Sequence, residues 1–378
     1  MPFAAALSEH PLPTHATGEV VGQVLEQIGP APDLAVVFVT APLTGALDDI
    51  AATIRTTLQP KTLLGVTAVS VLGGAREIEE QSAVSLFAAR IAAVTPVRVE
   101  AERFGEGWRL QSSLKGPLGA RTLLLLADPF TFPTESFLAE LAATEPELQV
   151  VGGMASAARG PGGNRLVLDD AVVTNGAVGV LFDADTPATA LVSQGCRPVG
   201  QPLVVTHAER NVIYEIAGRP ALDRLNELGA DLSPGDRALL ARGVHLGRVM
   251  DEGRVDFGRG DFLVRQVIGA DVEAKALAVG DEIAVGTTVQ FHVRDADSAD
   301  EDLRGMLGDT SSQAALVFTC NGRGTHLFPT PDHDASLIYA QLDGGATAGM
   351  FCAGELGPIG GRNFVHGFTA SVLLFDEA

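Results

Sequence analysis

The sequence predicts an α/β (α+β) protein of repeated strand–helix–strand–strand units forming two related layered sheet/helix halves. Two observations point there. Short β-branched apolar runs alternate with stretches of helical periodicity. Three strands dense in small residues, GVTAVSV, VGGMASA and GMFCAGE, hold the same place in three such units. The 378 residues exceed one ordinary domain. With 46% apolar and 19% charged residues, the chain can bury sizeable cores.

In the first unit, DLAVVFVTA (33–41) reads as a strand stopped by Pro42. GALDDIAATIRTTL (45–58) reads as a helix, with Leu47, Ile50, Ile54 and Leu58 at helical spacing. TLLGVTAVSVLGG (62–74) is a strand, EIEEQ (77–81) a turn and SAVSLFAARI (82–91) the return strand. The second unit repeats this with a strand at 121–130 and a helix at 133–144, Thr134 its N-cap and Phe137, Leu138 and Leu141 on one face. A strand at 149–158 follows, then a hairpin over 166–182 turning at Asn175-Gly176. The last unit has a strand at 314–322, a helix at 333–345 capped by Asp334 and stopped by Gly344, a strand at 346–356, a turn at 357–363 and a return strand at 364–375. Between them lies a weaker fourth copy, with strands at 211–218, 245–253 and 261–271 and a helix at 219–229. A break at 185–200 divides the chain into an N-terminal segment (1–32), an N-terminal domain (33–185) and a C-terminal domain (190–378). The acidic run RDADSADED (294–302) reads as a solvated linker.

Net charge is −21, from 26 basic and 47 acidic side chains. Such a surface repels phosphate backbones and anionic membranes, so no nucleic acid and no membrane is expected as partner. No basic residue precedes Arg55, as a secretory signal would need. The apolar runs are about half a membrane span. Three cysteines, an odd number in a large chain, argue against a disulfide framework. These features predict a soluble cytoplasmic protein with free thiols. There is no G-x-x-x-x-G-K-[ST], G-x-S-x-G, H-E-x-x-H or Cys-x-x-Cys, and no glycine-rich turn reads as G-x-G-x-x-G between a strand and a helix, which argues against the common NTPases, serine hydrolases, zincins and dinucleotide enzymes. No cofactor and no metal is predicted; HLFPTPDHD (326–334) has ligand residue types without a ligand spacing.

Several stretches resemble the FIST sensory domain family. GCRPVGQPLVVTHAERNVIYEIAGRPAL (195–222), ALVFTCNGRG (315–324) and GMFCAGELGPIGGRNFVHGFTASVLLF (349–375) are similar to its C-terminal half. LLGVTAVSVLGG (63–74) and VVGGMASAARG (150–160) are similar to its N-terminal half. The resemblance implies an intracellular sensory or signal-transduction module that binds a small ligand such as an amino acid or small carboxylate. Family members are fused to output domains; none is recognised here, so a separate signalling output protein is expected as partner.

The candidate ligand-binding residues are Cys320, Asn321, Arg323, Glu355, Asn363, His366 and Arg197. In Cys320-Asn321-Gly322-Arg323-Gly324 a strand ends in an arginine between glycines, whose fork suits a ligand carboxylate; the plainer reading is a solvated hairpin tip. Glu355, Asn363 and His366 flank one turn, and a carboxylate, an amide and an imidazole make a clamp for an amino acid; the alternative is a cross-strand polar group on a wet sheet face. Arg197 either reaches the same cleft or pairs with acidic neighbours. No catalytic residue is assigned. The alternatives are an enzyme using Cys320 or Cys352, although Cys352 in an apolar strand reads as a core residue, and a protein–protein adaptor with an exposed apolar patch.

Overall fold

The computed structural model describes residues 2–376 except 93, 106, 116, 117, 120, 255, 259, 309 and 310. The N-terminal stretch runs β1 (Phe3–Ser8), α1 (Pro13–Ile28), β2 (Leu34–Thr40), α2 (Leu47–Thr57), β3 (Thr62–Ala68), β4 (Val71–Gly73), β5 (Arg76–Ile78), β6 (Val84–Ala89), β7 (Thr95–Phe104), β8 (Gly107–Ser112), β9 (Thr122–Ala127), α3 (Thr134–Thr144), β10 (Gln149–Met154), β11 (Leu166–Leu168), β12 (Ala171–Val173), β13 (Ala177–Leu181) and β14 (Ala188–Gln194). The middle holds β15 (Cys196–Glu209), β16 (Val212–Ile216), β17 (Arg219–Pro220), α4 (Ala221–Asp231), α5 (Pro234–Arg242), β18 (His245–Val249), β19 (Phe262–Asp271), β20 (Ala276–Val279), β21 (Thr288–Arg294) and α6 (Ala296–Leu307). The chain closes with β22 (Ala314–Cys320), α7 (His333–Gln341), β23 (Ala346–Cys352), β24 (Glu355–Ile359), β25 (Arg362–His366) and β26 (Thr369–Phe375). The result is the mixed α/β class that the alternating patterns predict.

Contacts divide the chain into two units: residues up to Val192, Arg304–Val365 and from Thr369 on; and Ser193–Leu303 with His366–Phe368. The first unit is built three times over. In β2–α2–β3, β9–α3–β10 and β22–α7–β23 two parallel strands flank a helix, as a parallel crossover requires. A return strand, β6, β13 or β26, runs antiparallel to the first strand of each pair. The hairpin following each second strand leaves its own sheet: β4 joins β23, β11 joins β3 and β24 joins β10. Each copy therefore completes the sheet of another, and no copy is complete alone. Strands covered on both faces read as unbroken apolar runs, and β2 and β3 are buried along their whole length.

Register explains the small residues. Gly65, Gly152 and Gly349 are each the fourth residue of the second parallel strand, opposite Val37, Leu125 and Val317. A Cβ at Gly152 would run into the Leu125 carbonyl oxygen, and one at Gly349 into that of Val317. Only glycine lets the strands approach this closely. Three residues further on stand Ala68, Ala155 and Cys352, all fully buried in one apolar cluster.

In the second unit the strands run β15-β21-β18-β19-β20-β16, and β15 also pairs with β16, which closes a barrel. Val205, Ile213, Ile216, Leu246, Leu277 and Val289 fill it.

Several local expectations differ. No element is predicted for residues 1–32, yet β1 and α1 lie there. The stretch 62–74 is broken into β3 and β4, and 346–356 into β23 and β24, because the chain leaves one sheet for another. The hairpin in 166–182 turns at Asp169-Asp170, and β13 pairs with β7 and β9 instead. Among the described residues the middle's strand pairs all run antiparallel, so it is not a fourth copy. Most of the acidic run lies in α6, where buried Ala299, Leu303 and Leu307 supply an apolar face under the charges. Asp334 is not the cap of α7: that place is taken by Asp332, and Asp334 is buried in an ion pair.

Candidate functional site

A cavity of about 350 Å³ opens at the carboxyl ends of the first unit's parallel strands. Open α/β sheets bind ligands at such ends, where chains leave the sheet and backbone groups are unpaired. All three copies contribute to its wall. The residues four beyond the paired glycines, Val69, Ser156 and Ala353, line it together. Around them stand Ser70, Glu79 and Glu80 of the first copy, Phe130 and Arg159 of the second, and Asn321, His326 and Phe351 of the third. The wall thus carries carboxylates, a guanidinium, an imidazole, an amide and two aromatic rings.

Hydrogen bonds fix much of this wall. The Ser156 hydroxyl donates to the Phe351 carbonyl at 2.6 Å and accepts from Val69 N at 2.9 Å, tying the three strand ends together. Glu79 is anchored, accepting from Thr325 N at 2.9 Å and Thr325 Oγ1 at 2.7 Å. Asn321 N donates to the Cys352 carbonyl at 3.0 Å, while its side-chain Oδ1, shielded from water, accepts no hydrogen bond among the described residues. A shielded, unpaired acceptor in a cavity wall is costly unless a ligand or water donates to it.

Near this wall lies a buried charge network. Arg323, 0% exposed, donates Nε to Asp334 Oδ2 at 2.7 Å and Nη2 to Oδ1 at 2.8 Å. Asp334 also accepts from Thr319 Oγ1 and His333 Nδ1. Burial raises the Asp334 pKa, but the Arg323 charge and hydrogen bonds outweigh it and hold the carboxylate well below the usual range. Glu77 Oε1 accepts from Ala335 N; burial, and then the Asp334 charge, push its carboxyl up to about 8.

Glu355 begins β24 at a place where the corresponding hairpins have Val71 and Leu166, both buried. Its carboxyl is 0% exposed and accepts from Thr369 N and Thr369 Oγ1. Burial, against those bonds, pushes it up to about 8. The Cys320 thiol lies within hydrogen-bonding reach of the same carboxyl.

Of the seven residues expected to hold ligand, Asn321 lines the cavity. The Arg323 fork is taken by Asp334, and half-buried Cys320 and buried Glu355 lie beside it. The Asn363 amide spans the start of β10, accepting from Val150 N at 2.8 Å and donating to the Leu148 carbonyl at 2.7 Å. His366 and Arg197 belong to the second unit, where Arg197 pairs with Asp236 and Asp295. Glu79, Glu80, Arg159 and His326 are not among the expected residues, although the repeat carried a signal for their place: each small-residue strand ends at the cavity.

Family models match the chain twice, the FIST N domain over residues 33–219 and the FIST C domain over 221–358. An uncharacterized protein of Mycobacterium bovis is 40% identical over 370 residues, covering 96% of this chain and 95% of its own length. An uncharacterized protein of Mycobacterium tuberculosis is 38% identical over 385 residues, covering both chains in full. Among the described residues no helix is long and apolar enough to cross a membrane. The chain belongs to the FIST family, carries both its N and C domains, and is by that membership a sensory domain of signal transduction.

Proposed function

We propose that the protein senses a small carboxylate, with an amino acid as the favoured class, bound in the cavity where the three strand ends meet. The observation that carries this reading is the unpaired Asn321 Oδ1 in a wall with charges of both signs. Arg159 pairs with the ligand carboxylate. Glu80 takes an ammonium group, and Asn321 Oδ1 accepts a hydrogen bond from it. Phe130 and Phe351 cover the apolar part. Arg323, Glu77 and Asp334 hold the loop that carries Asn321 and Thr325 and do not touch the ligand. The signal passes to a separate output protein in the cytoplasm.

Thermal shift against a panel of amino acids and small organic acids tests this. A ligand that binds the native state raises its stability by mass action, about 2.7 kcal/mol at a hundredfold excess over Kd. Arg159→Ala and Asn321→Ala are expected to abolish the shift while leaving the ligand-free midpoint nearly unchanged. No shift with any panel member at millimolar concentration would overturn the reading.

A further inference from the structure

We propose that Cys320 and Cys352 form a redox-active dithiol which small hydroperoxides close to an intramolecular disulfide. The two residues end β22 and β23 and are register partners. Neighbouring strands lie about 4.8 Å apart, inside the span of about 4.4–6.8 Å that a disulfide bridges between Cα atoms. Partners in register on parallel strands project to the same face.

The two thiols have different surroundings. Cys320 is half-buried, so a small oxidant reaches it first. Gly322 N donates to its Sγ at 3.4 Å, and the Arg323 guanidinium interacts with it electrostatically. Both favour negative charge on sulfur, the form that attacks peroxide. Cys352 is fully buried, its Sγ packed over Gly153, and suits the resolving role.

Two orphaned groups strengthen the assignment. Among the described residues Arg323 Nη1 and Glu355 Oε1 have no hydrogen-bond partner, and both side chains are 0% exposed. Arg323 and Glu355 both interact with Cys320. A sulfenic acid on Cys320 supplies an oxygen for the guanidinium and a proton for the carboxyl.

In the first step the Cys320 sulfur attacks the peroxide, the O–O bond breaks, and thiol plus hydrogen peroxide gives sulfenic acid plus water. In the second, the Cys352 sulfur attacks the Cys320 sulfur, the S–O bond breaks, and the hydroxyl leaves as water with the Cys352 proton. Two thiols are oxidised by two electrons and one peroxide is reduced to two waters. No ligand in the cavity is required.

The full chain, reduced and then treated with hydrogen peroxide, tests this. Counted with Ellman's reagent after unfolding in guanidinium chloride, two of the three thiols are expected to have disappeared, with the mass falling by two hydrogens. A tryptic map should join residues 305–323 to 324–362, and dithiothreitol should reverse it. Cys352→Ser should stop at a Cys320 sulfenic acid that dimedone captures. An unreacted Cys320, a Cys320 carried to sulfinic acid without a link, or a link between two chains each overturns the proposal. If Cys352→Ser does not fold, the wild-type map decides alone.

Discussion

Arg323 grips Asp334 with two parallel hydrogen bonds, at 2.7 and 2.8 Å, and neither side chain reaches solvent. Removing one partner leaves the other charge buried and uncompensated, which costs about 3–5 kcal/mol. Arg323→Ala and Asp334→Ala are each expected to lower stability by that amount in urea denaturation. The double change Arg323→Met with Asp334→Leu is expected to recover most of it, since an apolar pair of similar volume avoids desolvation. A wild-type midpoint for Arg323→Ala would show that the pair carries no stability.

Stability should fall as pH rises from about 6.5 to 8. Glu77 and Glu355 titrate near 8 in the folded chain against 4.5 unfolded. A raised carboxyl binds its proton more tightly when folded, so its contribution is full below the unfolded value and is lost as pH rises through the folded one. His245 and His292, pushed down to about 4 chiefly by burial, act in the opposite direction. Their contribution is present above 6.5 and lost as pH falls towards 4. The two effects oppose one another between about 4.5 and 6.5, leaving the carboxyls alone above. Each gives a slope of at most about 1.4 kcal/mol per pH unit. Glu355→Gln should roughly halve the decline from pH 6.5 to 8; equal slopes in both proteins would count against a raised Glu355.

Gly349→Ala should cost several kcal/mol, because the new methyl meets the Val317 carbonyl and the parallel strands must part. Gly22→Ala should raise stability by about 0.5–1 kcal/mol, since Gly22 lies within α1 with nothing within 4 Å of the added carbon. Thermal midpoints of the two variants shifting in the same direction would contradict the assigned register.

Asn363→Ala should destabilise by about 1–3 kcal/mol, because it strips Leu148 and Val150 of their side-chain partner. Ligand-induced thermal shift should survive the change. Its loss, with stability unaltered, would return Asn363 to the ligand clamp that its sequence context suggests.

Glu355 shows why the site was harder to read than the fold. Its carboxyl, amid glycines before a turn, looks solvent-facing in sequence, yet β24 crosses to the sheet of β10 and carries it inside. The same exchange spends Asn363 of the expected clamp on β10, while Arg323 is held by Asp334 eleven residues away. Arg159, Glu80 and His326 come from three copies of the repeat, and no local pattern links them.

The sequence by itself determined the mixed α/β class, the recurrence of the strand–helix–strand–strand unit, the family and the core role of Cys352. These depend on periodicity, composition and local spacing, which the chain states residue by residue. Only the tertiary structure decided which sheet each hairpin joins, which charges lose their water and which strand ends share a cavity. Those outcomes depend on contacts between distant segments, where burial sets both the cost of a charge and the partner it must find.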